Sequence, residues 1–195
     1  MRNNLSFINV YKKKTKSEIV TQLLYGETFK KVSSNKSWLK IRNDLDNYQG
    51  YIKNKNYPNK VKNTHKIFNI YAQLYSKPNL KNKINKKLSF GSRIKVTKKK
   101  NNFYKFDNFW INKKDLREKN YKIIDTFKNI KKFINTKYKW GGKHFSGIDC
   151  SGLIQLLLNY NNKYCPRDAR DQIKYFKKKI NLKNIRKNDL IFWKG

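Results

Sequence analysis

The chain has little acid, little histidine and little sulfur. Against 48 Lys and Arg it carries 12 Asp and Glu, a formal charge of +36. Two histidines leave few groups for proton transfer near neutral pH. Two cysteines, Cys150 and Cys165, are too few for a disulfide scaffold. They form no C-x-x-C pair and no His/Cys cluster has zinc spacing, so no metal or other cofactor is implied. No apolar run approaches the roughly 18 residues of a membrane span. The start, Met1-Arg2-Asn3-Asn4-Leu5-Ser6-Phe7, is basic but lacks an apolar stretch and a small-residue cleavage site, so no secretory signal is visible. A cytoplasmic location is expected, and free thiols rather than the one disulfide the pair could form. What the chain does have is 37% hydrophobic and 15% aromatic residues, which excludes a disordered basic tail. Its 195 residues suit one to three small domains.

The charge is nearly all lysine, spread in runs such as Lys12-Lys13-Lys14, Lys98-Lys99-Lys100 and Lys177-Lys178-Lys179. Phosphate readers tend to use the fork of arginine as well. Most of these lysines read as solvated surface, and no specific nucleic-acid partner is expected. Weak, salt-sensitive binding to polyanions follows from the charge alone.

The first part alternates as short strands between turns. Strand patterns run over Ile19 to Leu24 and Phe29 to Val32, with a turn at Tyr25-Gly26-Glu27. In Trp38-Leu39-Lys40-Ile41 the alternation puts Leu39 and Ile41 on one face, and Tyr51-Ile52 starts a last strand. The pattern then recurs. Gly91-Ser92-Arg93-Ile94 repeats Gly26-Glu27-Thr28-Phe29, and Phe103-Tyr104-Lys105-Phe106 repeats Trp38 to Ile41, both 65 residues on. Trp110-Ile111-Asn112 repeats Tyr51-Ile52-Lys53, 59 residues on. Two tandem copies of a small β-barrel account for this, with a boundary near Asn59 to His65. The stretch Glu18 to Glu27, with Trp38 to Ile41 and Gly50-Tyr51-Ile52, resembles bacterial SH3-type domains of the kind that precede some cell-wall peptidases.

After about Tyr121 the period changes. Ile123, Ile124, Phe127, Ile130, Phe133 and Ile134 recur at helical spacing, which predicts an amphipathic, core-facing helix with Asp125 near its start. An aromatic and Gly-rich loop, Tyr138 to Gly147, leads to an apolar helix beginning at Cys150 or Ser151. A third helix is predicted from Asp168 to Lys178, after Pro166, and Asp189 to Trp193 reads as a buried strand. The expected fold class is α+β: units at 1–60 and 61–119, then a third at 120–195.

A cysteine at a helix N-terminus meets unpaired N–H groups and the positive end of the dipole, which favour its thiolate. On position alone an inert buried cysteine capping a core helix fits as well. The surrounding motifs favour the reactive form. Tyr138-x-Trp140-Gly141-Gly142, Asp149-Cys150-Ser151-Gly152-Leu153-Ile154-Gln155, Cys165-Pro166-Arg167-Asp168-Ala169-x-x-Gln172 and Asp189-Leu190-Ile191-Phe192-Trp193 together resemble the NlpC family of papain-like cysteine peptidases of the bacterial cell wall. The resemblance implies Cys150 as nucleophile and Tyr138 beside the oxyanion. It also implies Asp149, Ser151, Trp140, Arg167 and Asp168 as residues shaping or lining the substrate cleft. For Arg167 and Asp168 a helix N-terminus with a local ion pair is an equal reading, and Cys165 reads as packing. Asn188 stands where the family usually has Gly, and Asn tolerates the left-handed backbone such a turn needs.

The family's general base is a His just after the Phe-Trp strand, and this chain stops at Lys194-Gly195. His144, in the loop before Cys150, and His65, between the two β units, are poor substitutes. The chain therefore reads as a C-terminally truncated peptidase, inactive alone. The resemblance further implies a murein peptide as substrate, cut between γ-D-glutamate and a diamino acid in a cytoplasmic recycling role, by a monomer. The competing reading is a non-catalytic module binding wall peptides through the SH3-like units.

Overall fold

In the computed structural model, which describes residues 1–177 and 179–193, the first unit is an antiparallel sheet of five strands. These are β1 (Phe7–Tyr11), β2 (Ile19–Leu24), β3 (Phe29–Ser34), β4 (Trp38–Asn43) and β5 (Gln49–Lys53), in the order β2-β1-β5-β4-β3. Register pairs such as Ile8↔Leu23 and Leu39↔Ile52 bring apolar residues together, as alternation requires. Ile8, Val10, Leu23, Phe29, Leu39, Ile41, Ile52 and Tyr57 close into one core. Strand β1 carried no strand reading in the sequence. It is a short apolar piece between polar flanks, and it forms because β2 and β5 pair with it on either side.

The second unit holds β6 (His65–Ile67), β7 (Tyr71–Tyr75), β8 (Lys83–Ser89), β9 (Arg93–Ile94), β10 (Lys98–Lys100), β11 (Phe103–Phe106), β12 (Phe109–Asn112) and β13 (Leu116–Glu118). Its main sheet runs β8-β7-β12-β11-β10, the same order as the first with β8 in the place of β2. A three-stranded sheet, β13-β6-β9, lies beside it. Gly26 and Gly91, the paired turn glycines, have φ of +79° and +81°, a region that L-residues enter at a cost. The sequence repeat is therefore a repeat of strand order and of turn conformation. In neither main sheet do the end strands pair with each other among the described residues, so the expected barrels are met as five-stranded sheets without a hydrogen-bonded ring.

The third unit is built differently from its expectation. The predicted helix over 123–134 is only a 3-10 turn, Lys128–Phe133. Asp125 accepts from the Phe127 N–H (3.1 Å), an Asx turn that competes with helix, and Asn161 holds both the N–H and the carbonyl of Ile123. Phe127 and Phe133 face the core while Ile124 and Ile134 are exposed, so the apolar stripe is split. The hairpin β14 (Lys143–His144) and β15 (Gly147–Ile148) leads into α1 (Cys150–Tyr160). Helix α2 spans Ala169–Tyr175, and Lys178, the expected end of that helix, lies outside the described residues. Residues 190–193 are not a strand. Ile191 and Trp193 are exposed, because no neighbouring strand among the described residues takes up their backbone groups. Just before them Asn188 adopts φ +76°, the left-handed turn expected of it.

A third core joins all three units. Ile148, Leu156, Leu157, Tyr160 and Phe133 meet Leu24 from the first sheet and Phe90 from the second. Phe90 stacks on Tyr160 with ring centroids 4.4 Å apart.

Candidate active site

Cys150 is the first residue of α1, and it is exposed. The helix starts there because Asp149, in extended backbone, caps it: its carboxylate accepts the Gly152 N–H at 2.6 Å. The cap leaves the first N–H groups of α1, those of Cys150 and Ser151, free of intrahelical partners beside the sulfur. Gly152 has to be glycine, since a Cβ there would stand 2.5 Å from the Gly142 carbonyl oxygen and 2.7 Å from the Asp149 carboxylate.

Asp149 is buried, and its charge is matched below the thiol. Arg167, only 2% exposed, donates to its two oxygens at 3.0 and 2.6 Å. The Gly141 N–H donates to the same carboxylate (2.8 Å), and Arg167 also donates to the Ser151 hydroxyl (3.0 Å). Bidentate, charge-assisted contacts of this kind fix orientation as well as energy. Asp149, Ser151 and Arg167 thus form one buried network under Cys150, and their side chains do not open to solvent.

Tyr138 lies on the other side. Its backbone bridges to Ile148, and its side chain is exposed, as is that of Trp140. Desolvation, then the adjacent Cys150 and Asp149, hold the Tyr138 phenol above its ordinary range, so phenol and thiol are within electrostatic reach. Asp168 precedes α2 without capping it and accepts from the Tyr48 hydroxyl (3.1 Å). Burial foremost raises the Asp168 carboxyl above the usual carboxylate range.

Three contributors from the first unit were missed in the sequence. Tyr48 is an aromatic inside a polar turn, the one signal that could have marked it. Thr21 accepts the Arg167 Nε–H at 2.9 Å, and Gln22 accepts the N–H groups of both Lys143 (2.8 Å) and His144 (3.0 Å). Nothing local distinguishes these two from other polar strand residues. Cys165 is fully buried, with its thiol pushed up to about 12 by desolvation first, as fits a packing role.

The histidines are elsewhere engaged. His144 is buried between Phe7 and Phe145, with Nδ1 against the Ser146 hydroxyl at 2.8 Å. Desolvation and the nearby Lys139 lower its pKa to about 4. It is a buried neutral ring, not the solvated loop residue or simple cap that a loop histidine usually is. His65 belongs to β6 of the second unit, beside Thr64.

Comparison with known proteins agrees with this geometry. Residues 135–195 match the NlpC/P60 family, and residues 10–56 match the bacterial dipeptidyl-peptidase Sh3 domain. The chain carries an NlpC/P60 segment behind a bacterial SH3 domain. Dipeptidyl-peptidase 6 of Lysinibacillus sphaericus is 41% identical over 63 residues, which is 32% of this chain and 23% of that protein. The chain therefore meets less than a quarter of that relative's length. An NlpC/P60 family protein from Bacillus cereus superposes with a TM-score of 0.77 at 17% identity, over 89% of this chain and 76% of that one, and so shares its fold. The NlpC/P60 segment contains α1, α2 and the whole Asp149–Arg167 network.

Proposed function

We propose that the chain serves a cysteine endopeptidase of cell-wall peptides, with Cys150 as nucleophile. The observation that carries this is an exposed cysteine at the first position of α1, set over a neutralised Asp149–Arg167 pair and beside Tyr138. The thiolate attacks an amide carbonyl, forming a C–S bond. The Cys150 N–H and the Tyr138 hydroxyl receive the oxyanion. The C–N bond then breaks as the amine takes up a proton, and water hydrolyses the thioester to regenerate the thiol.

The bond is taken to be that between γ-D-glutamate and a diamino acid in a murein peptide. Asp168 supports a freed peptide over intact wall. A half-buried carboxylate with one phenol donor suits the ammonium of an open peptide N-terminus. Two SH3-like units frame the segment in this reading, the first narrowing the groove through Tyr48, and a cytoplasmic site of action goes with it. His144 is buried and His65 belongs to the second unit, so the proton acceptor comes from outside these 195 residues, and the chain alone does not turn over.

Hydrolysis of L-Ala-γ-D-Glu-diaminopimelate tests both parts, on the 195-residue chain and on one carried further along its reading frame. The expected result is no turnover by the first, turnover by the second, and loss of turnover in Cys150→Ala. Undiminished hydrolysis by Cys150→Ala rejects the nucleophile, and turnover by the 195-residue chain rejects the outside acceptor.

A further inference from the structure

The nucleophile's support does not end within its own segment. Four contacts reach it from the β2 end of the first sheet, those of Thr21, Gln22 and Glu27 being buried. The Arg167 Nε–H, which points away from Asp149 and Ser151, ends on the Thr21 hydroxyl at 2.9 Å. The Gln22 side-chain oxygen takes both backbone N–H groups of β14. Glu27, in the turn after β2, pairs with the Lys143 ammonium at 3.0 Å, both side chains being under 5% exposed. Gly141, at φ +72°, packs against the Ile19 carbonyl so closely that a Cβ has no room. Each contact falls on a piece of chain leading to the sulfur: Gly141 and Arg167 on Asp149, β14 on the hairpin that ends just before Asp149.

We infer that β2 of the first SH3-type unit is a positioning element for the nucleophile, with Thr21 orienting Arg167 so that the Asp149 charge beneath Cys150 stays matched. The inference rests on the reading of Cys150 as nucleophile. Thr21 touches no reacting atom. Its effect runs through one hydrogen bond: without the hydroxyl, a buried guanidinium N–H has no acceptor, and the planar fork is free to turn off the carboxylate. An Asp149 less well matched disfavours a second negative charge at Cys150. The charged and titratable groups about the thiol are Asp149 and Arg167 below and the neutral Tyr138 phenol beside it, with Asp168 next along the Arg167 segment.

The test reads the thiol, not hydrolysis, so it is separable from the peptidase proposal. Iodoacetamide alkylation of the 195-residue chain is followed against pH, with Cys150→Ala as blank; Cys165 is sealed and contributes no fast phase. Thr21→Val is expected to move the alkylation profile about one pH unit alkaline, which is about a tenfold fall in rate on the acid limb. Thr21→Ser is expected to restore the parent profile. A Thr21→Val chain with native circular dichroism and an unmoved profile overturns the inference, as does a Thr21→Ser chain that behaves like Thr21→Val. Should Thr21→Val fail to fold, Thr21→Ala, which removes the same acceptor without adding bulk, is expected to move the profile the same way, and an unmoved profile there is equally decisive against it.

Discussion

The two β units have the same strand order and opposite relations to the site. In the first, β2 turns Thr21 and Gln22 inward, to Arg167 and to the backbone of β14. In the second, the corresponding strand β8 has Lys86 and Lys87 at those positions, and both are exposed. The second unit gives the third core apolar cover, through Phe90, Phe68 and Ile70, and no polar group to the Asp149 network. Repetition has copied a scaffold; the role was then decided residue by residue. In a chain this rich in surface lysine, the buried Thr21 and Gln22 of β2, which reach Arg167 and β14, mark the face that works.

The largest expected break of this comparison is at Lys143. Lys143→Ala strands the buried Glu27 and should cost roughly 3–5 kcal/mol of unfolding free energy. Lys86→Ala and Lys87→Ala, on the exposed strand of the other copy, should stay within about 0.5 kcal/mol. Urea unfolding of the three variants measures both, and equal losses would erase the distinction.

The paired glycines give the next effect. Both Gly26→Ala and Gly91→Ala force an L-residue to positive φ, at about 1–2 kcal/mol. At Gly26 the new methyl runs into the Arg93 backbone carbonyl, which cannot yield, whereas at Gly91 it meets the Leu156 side chain at 2.8 Å, which can turn away. Gly26→Ala is therefore expected to destabilise more, by about 1–3 kcal/mol beyond Gly91→Ala, the range for overpacking. Thermal melts of the two single variants test the order.

The last comparison is a pH slope at the seam between first and third units. Unfolded His144 takes its proton near its ordinary value of 6.5, and the folded ring near 4. Between these values protons favour the unfolded chain, so stability falls as pH drops from about 6.5 toward 4, and is intact above that window. His144→Gln should flatten that part of the stability curve relative to the parent. An unchanged slope would show that burial between Phe7 and Phe145 does not control the ring's protonation.

Local signals were legible and tertiary ones were not. The start of α1 could be read because a cap acts within four residues: Asp149 and Gly152 suffice. Leu39 and Ile41 could be placed on one face because alternation is local too, and the repeat because both copies keep the turn glycine and the aromatic strand. The stretch 123–134 misled because apolar spacing alone does not outweigh an Asx turn at Asp125 and a clamp from Asn161. Residues 190–193 misled because a strand's existence depends on a neighbour that its own composition cannot supply. At the site, Cys150 and Tyr138 were marked by motif. That Arg167 lies beneath the sulfur, held by Thr21, needed the approach of two segments 146 residues apart.

The shared packing of Leu24, Phe90 and Tyr160 makes all three units co-dependent. Splitting the gene at either apparent boundary would leave an oily wall facing water on both products. Grafting a foreign repeat in place of the first would need a matching leucine there. Such a chain is inherited as one block, its modules separable on paper before they are separable in a test tube.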